Sequence, residues 1–251
     1  KSTLSALLNI ILIAPVIALL VKFLPVDTGI IIGLFIVSTM PTTLSSGVVL
    51  TKTAGGNMAH ALFVTVLSNI IAIFTIPVIL SFLVTFVDLD KTLEIDKAAI
   101  IIKLCFLVLL PLLIGLFLRS KVFESFDPGR FKLQVINQIL ILAIVFVSVA
   151  NSKGALTGNP MTLVVIILIA AGFHILLFGA AAVVVKAFGI PKGRMESVLF
   201  MGAQKTLPLS IMIQVSYFSS FGIASVVCVA HHIVHLIIDG YLSTRMGKQS
   251  S

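Results

Sequence analysis

Tryptophan is missing from this 251-residue sequence, tyrosine and cysteine each occur twice, and only 10% of the residues are charged. A soluble domain carries roughly 25% charged residues. This chain has too few to clothe a water-facing globule, so lipid must solvate much of its surface. Cys105 and Cys228 both fall in apolar runs, which makes them small hydrophobes and a disulfide framework improbable. With no tryptophan and two tyrosines, the aromatic belt at the membrane interfaces is thin. Acidic residues are scarce as well: nine against 17 Lys and Arg, a net charge of +8. The basic residues are scattered over short connectors, so membrane topology accounts for them better than nucleic acid does. A phosphate-cradling glycine loop and a Ser–His–Asp nucleophile motif are both lacking, which argues against an enzyme. The chain opens at Lys1 directly before an apolar run, with no cleavable leader visible, and reads as a processed or truncated product.

What the sequence has in abundance is apolar length. Hydrophobic residues make up 59% and mean hydropathy is +1.23. Runs of about 20 residues are long enough to cross a bilayer, and eight are expected: 4–21, 30–51, 58–84, 98–118, 133–150, 161–186, 195–219 and 222–243. Turn signals separate them, including Pro25 to Gly29, Ala54 to Asn57, Asp127-Pro128-Gly129, Gly158-Asn159-Pro160 and Pro191-Lys192-Gly193. No connector is long enough for a soluble domain. With both termini on one side, that side carries Lys1, Lys52, Arg119, Lys121, Arg130, Lys132, Lys186, Lys192, Arg194, Arg245 and Lys248. The other side carries Lys22, Lys91, Lys97 and Lys153, beside the acidic connector Asp88, Asp90, Glu94 and Asp96. The bias places both termini on the cytoplasmic or equivalent side.

Two spans are interrupted. The second contains Ser38-Thr39-Met40-Pro41-Thr42-Thr43-Leu44-Ser45-Ser46-Gly47, and the seventh contains Gly202-Ala203-Gln204-Lys205-Thr206-Leu207-Pro208-Leu209-Ser210 at a similar depth. Proline removes a backbone donor and clashes with the preceding turn, so each helix is expected to kink or unwind there. In hydrocarbon the freed carbonyls cost several kcal/mol each unless something occupies them. Paired broken helices point to a midplane binding site in secondary transporters. Small and hydroxyl residues could instead serve close helix packing alone, but an intramembrane glutamine and lysine argue for a site. The two stretches run in opposite directions, and spans 1–3 and 6–8 read as inverted copies.

The run Met40 to Val48, followed by Leu50-Thr51-Lys52 and Gly55-Gly56-Asn57, resembles the bile acid:sodium symporter family. So do Gln204-Lys205-Thr206-Leu207 and the segment from His231-His232 to Asp239. The resemblance is to the branch of plastidial sodium/metabolite cotransporter-like proteins and animal solute carrier family 10 member seven, and it covers essentially the whole chain. It implies an all-α polytopic fold of ten helices in two inverted repeats, of which the first two helices are absent here and eight remain. Residues 1–84 and 152–251 would form the core domain and 85–151 the remaining panel helices. Carried over residue by residue, one sodium site of the family matches Ser46, Gly47 and Thr65, with Gly47 in place of an amide side chain and Ala61 in place of a hydroxyl. The other matches Gln204. The family's bridging carboxylate falls at Phe200, and Asn9 lies near a first-span amide ligand. Hard cations favour oxygen ligands and negative charge, so the loss at Phe200 weakens the expectation of two sodium ions. Lys205 could occupy the vacated cation position, attract an anion directly, or exchange a proton.

The last span places His231, His235 and Asp239 on one helical face, and His232 beside them. Two histidines and a carboxylate are possible metal ligands, but a third ligand two turns away does not reach the same ion. Asp239 orienting His235 within a polar helix face is the plainer expectation, with His60 and His174 isolated. The expected substrate or ion site comprises Pro41, Thr42, Thr43, Ser45, Ser46, Gly47, Thr65, Gln204, Lys205, Thr206 and Pro208, with Asn9, Ser68, Asn69, His235 and Asp239 as further candidates and no structural metal. The expected function is secondary transport of a small organic anion by alternating access, with sodium as a candidate coupling ion. The oligomeric state stays open, as does the host membrane: a bacterial inner membrane, a plasma membrane or a plastid envelope. A regulatory membrane subunit, for instance in calcium handling, and a membrane-embedded metal-binding protein are the competing readings.

Overall fold

The computed structural model describes residues 1–87, 97–106 and 160–248, together with scattered positions between 110 and 150. Among them every regular element is helical: α1 (Ser2–Phe23), α2 (Thr28–Thr39), α3 (Ser45–Thr53), α4 (Met58–Val84), α5 (Lys97–Leu104), α6 (Pro160–Ala187), α7 (Met195–Ala203), α8 (Leu207–Tyr217) and α9 (Gly222–Lys248). Five segments are long and apolar enough to cross a membrane: α1, α4, α6, the pair α7–α8 taken through its break, and α9. The chain is a multi-pass membrane protein. The first interrupted span appears as the shorter α2 and α3. The expected spans at 98–118 and 133–150 lie mostly outside the described residues, as does the acidic connector at 88–96.

The chain carries the order long helix, broken helix, long helix twice, as α1 to α4 and as α6 to α9. The boundaries follow from local chemistry. The Asp27 carboxylate accepts from the Gly29 amide (2.7 Å) at the start of α2, and the Asn57 side chain accepts from the His60 amide (2.9 Å) at the start of α4. Gly55 and Gly193 turn at φ 83° and 88°, where a side chain would be strained. The Asn57 amide donates to the Gly193 carbonyl (2.6 Å), tying the two connectors together.

The packing is that of a membrane protein. Leu4, Leu12, Val16, Phe74, Phe82, Leu168, Val183 and Ile237 face outwards, each more than half exposed. Asn9, Ser38, Gln204, Lys205, His174, His235 and Asp239 are all buried. Polar groups sequestered within an apolar exterior mark function more often than stability. α9 packs along both α2 and α6, while α7 lies against α1, α3 and α6. Gly29 and Gly33, four residues apart on α2, let α9 approach closely: a Cβ on Gly33 would stand 2.7 Å from Val227 Cβ and 2.9 Å from the Ala224 carbonyl oxygen.

Candidate functional site

The two breaks meet. α2 ends at Thr39 and Met40 turns extended (ψ 148°), as the residue before a proline prefers, so the chain leaves the helix just ahead of Pro41. α7 ends at Ala203 and Gln204 is likewise extended (ψ 147°). The Thr206 amide then donates to the Pro41 carbonyl (3.0 Å), pinning one break to the other. Pro208 does not break the second helix as expected; it sits in the first turn of α8, where its missing N–H costs nothing. The unwound residues there are Gln204, Lys205 and Thr206.

Gln204 is the hub. Its Nε2 donates to Asp239 Oδ2 (2.8 Å), and since a carboxylate only accepts, this fixes which way the amide points. Gln204 Oε1 therefore faces the N-terminus of α3, accepting from Thr43 Oγ1 (2.8 Å) and Ser46 Oγ (3.0 Å), which lie 2.5 Å from each other. Three oxygens are thus gathered where Leu44 and Ser45 are exposed and Ser46 is half-buried. Gly47 closes the floor: a Cβ there would clash with Met201 Cε and stand 2.9 Å from Gln204 Oε1.

Lys205 turns the other way. Its Nζ donates to the carbonyls of Ile10 (2.9 Å), Ser38 (2.9 Å) and Met40 (3.0 Å), and the side chain is 1% exposed. Each carbonyl has lost its helical partner for a local reason. Residues 9–13 form a π-helical turn in which the Ala14 amide reaches back to the Asn9 carbonyl. The next amide, owed to Ile10, belongs to Pro15 and does not exist. Ser38 and Met40 lie at the break beside Pro41. A cation at the carbonyl end of α2 also faces the negative end of that helix.

Asn9 does for α7 what Lys205 does for α2. Thr206 gives its amide to Pro41, so the Gly202 carbonyl lacks its i+4 donor, and Asn9 Nδ2 supplies one (2.9 Å) while also bonding the Leu177 carbonyl (3.1 Å). Asn9 Oδ1 and Thr42 Oγ1 are buried without a hydrogen-bond partner.

Several expectations require correction. Asp239 does not orient His235: its Oδ1 lies 2.8 Å from Nε2 of His174, on α6, both residues being fully buried, whereas His235 Nε2 bonds His232 Nδ1 (3.0 Å). His174 is therefore not isolated, and neither is His60, whose Nδ1 lies 2.5 Å from Ser197 Oγ. Thr65, Ser68 and Asn69 spend their polar groups on their own helix, donating to the carbonyls of Ala61 (2.9 Å), Thr65 (3.0 Å) and Thr65 (2.9 Å); Asn69 Nδ2 also reaches the Thr42 carbonyl at 3.5 Å. Ser45 is exposed at the mouth. His174 makes the helix–helix contact its type suggests, but its partner was not foreseen, because one polar residue in the apolar run 163–185 gives no hint of what it meets.

The profile of the SBF-like CPA transporter family matches residues 1–248. The chain is 32% identical over 263 residues to the probable sodium/metabolite cotransporter BASS4, chloroplastic, of Arabidopsis thaliana, covering 98% of this chain and 60% of that protein. It is 29% identical to the protein of the same description from Oryza sativa subsp. indica (94% and 59%). It is 25% identical to the sodium/bile acid cotransporter 7-B of Xenopus laevis (84% and 61%). The chain therefore spans about 60% of the length of these relatives.

Proposed function

Because the chain belongs to the SBF-like CPA transporter family, we propose that it is the transport core of a secondary carrier for small organic anions, working by alternating access at its two crossing broken helices. The observation that carries this reading is the cluster of Thr43, Ser46 and Gln204 oxygens at the Pro41–Thr206 crossing, reachable at the edge where Leu44 and Ser45 are exposed. α3 and α8 both begin at the crossing, and the amide ends of helices favour negative charge. An anion seated between them would meet both. The twofold order of long and broken helices fits an inverted repeat, with residues 1–84 and 152–251 as the core and 85–151 as the panel it rocks against. Both termini would face the cytoplasm or its equivalent, by the distribution of Lys and Arg. The relatives' names make sodium the first coupling ion to try.

Full-length protein in proteoliposomes should show saturable uptake and counterflow of radiolabelled mono- or dicarboxylates. Gln204→Leu, which removes the oxygen shared by both hydroxyls, should lower uptake by about tenfold or more. Absence of uptake across a broad anion panel would sink the carrier reading.

A second expectation concerns Gly47. In Gly47→Ala the new methyl displaces Met201 Cε, the free end of a flexible side chain, but also presses on Gln204 Oε1, which the hydroxyls of Thr43 and Ser46 hold in place. Uptake should fall about tenfold while the unfolding temperature changes little, since Met201 can yield. Equal uptake by Gly47→Ala and wild type would show that the cluster lies off the substrate path.

A further inference from the structure

A buried ammonium usually finds a carboxylate. Lys205 has none: among the described residues its three hydrogen bonds all go to main-chain carbonyls, of Ile10, Ser38 and Met40. An ammonium has three donors, so all are used, and none is left for a substrate anion. The charged group that does lie close by, Asp239, reaches the break through Gln204 and not through Lys205. Backbone oxygens from two separate helices thus converge at 2.9–3.0 Å on a single positive atom at the carbonyl end of α2. Oxygen-only coordination at a helix break is the chemistry by which a protein holds a hard metal cation. The matching end of α7 is closed differently, by the neutral amide of Asn9 on the Gly202 carbonyl. The positive charge is therefore on one side of the crossing only.

We propose that Lys205 is a resident cation: its ammonium permanently fills the place on the freed carbonyls that an alkali cation would otherwise have to occupy, so the crossing is positively charged without binding sodium there. Two consequences separate this from ordinary helix capping. The wild type should not need sodium at this place, and removal of the ammonium should create a need for it. A cap would be lost without gaining an ion requirement. The significance for transport rests on the carrier reading, but the ion requirement can be measured without it.

The test is the thermal unfolding of the full-length protein in detergent, in sodium chloride against N-methylglucamine chloride at equal ionic strength. Wild type should unfold within about 1 °C in the two salts. Lys205→Ala should unfold lower in N-methylglucamine chloride and recover by about 5 °C in sodium or ammonium chloride, the size expected when a ligand binds only the folded state. Lys205→Arg, which keeps the charge, should stay insensitive. Sodium stabilising the wild type as much as Lys205→Ala would overturn the proposal, and so would a variant that neither sodium nor ammonium restores. Lys205→Asn, smaller and uncharged but able to add an oxygen, is the second variant should the alanine protein fail to fold. Both variants failing in every salt would equally overturn it, as that is the behaviour of a cap. In vesicles, uptake by the alanine variant should depend more steeply on a sodium gradient than wild-type uptake does. A wild type that carries no anion at all counts against the carrier reading, and the unfolding comparison then still decides the lysine.

Discussion

Asp239→Ala is expected to lower the unfolding temperature by about 10 °C. The Asp239 carboxylate is fully buried and serves two partners on two other elements, Gln204 Nε2 at the second break and His174 Nε2 on α6, each at 2.8 Å. Truncation strands both inside the protein. Leaving two buried polar groups unpaired costs about 1–3 kcal/mol each, and each kcal/mol shifts the unfolding temperature of a protein this size by about 2–4 °C. Asp239→Asn should be far milder, because an asparagine can accept from Gln204 with its oxygen and donate to His174 with its amide once that ring carries its proton on Nδ1. Pairing Asp239→Ala with His174→Ala should cost less than the sum of the two, since each already removes the shared contact. The measurement is thermal unfolding of the wild type and the four variants in one detergent. An Asp239→Ala protein that melts within a degree or two of wild type would mean that Gln204 and His174 find other partners, and the hub described above would be wrong.

This carboxylate also shows where the sequence was legible and where it was not. The breaks could be read because their causes are local: a proline, hydroxyls, a glutamine and a lysine in the middle of apolar runs have few innocent explanations. Asp239 was visible for the same reason. Its partner was not, because His174 lies 65 residues upstream in an apolar helix, and which polar groups meet across helices is decided by packing. His235, four residues before Asp239 on the same face, was the natural candidate and the wrong one; the ring bonds His232 instead. The hydroxyls of α4 were read from type and depth alone. Thr65 and Ser68 are of the right type and at the right depth, but a helix offers each a carbonyl one turn back, and they take it. Lys205 stood out as a charge in mid-span, yet its ligands are backbone atoms, which no pattern of side chains displays. Only Pro15, by withholding an amide from Ile10, and Pro41, by ending α2, leave a trace of them. Pro208 has the opposite character: it looks like a breaker and instead starts a helix.

Gly33→Val is expected to remove folded protein from the membrane almost entirely. The α2–α9 contact holds the two halves of the site in register, because α2 ends in the carbonyls that bind Lys205 and α9 carries Asp239. At Gly33 even a methyl would stand 2.9 Å from the Ala224 carbonyl oxygen and 3.0 Å from Ala224 Cα, which are backbone atoms and cannot rotate away. Overpacking against movable side chains costs about 1–3 kcal/mol; here the helices themselves must separate. Trimming Val227 to alanine should not rescue the variant, since the Ala224 backbone remains. The control lies on α6, where a Cβ on Gly179 would meet nothing within 4 Å, so Gly179→Val should stay within about 0.5 kcal/mol of wild type. The two variants add the same side chain to the same kind of apolar helix, and differ only in what faces it. If both yield similar amounts of monodisperse protein after extraction, as judged by size-exclusion chromatography, then α2 and α9 do not pack as closely as Gly33 allows. The alignment of the two broken helices would in that case have to come from the Pro41–Thr206 bond and the Lys205 clamp alone.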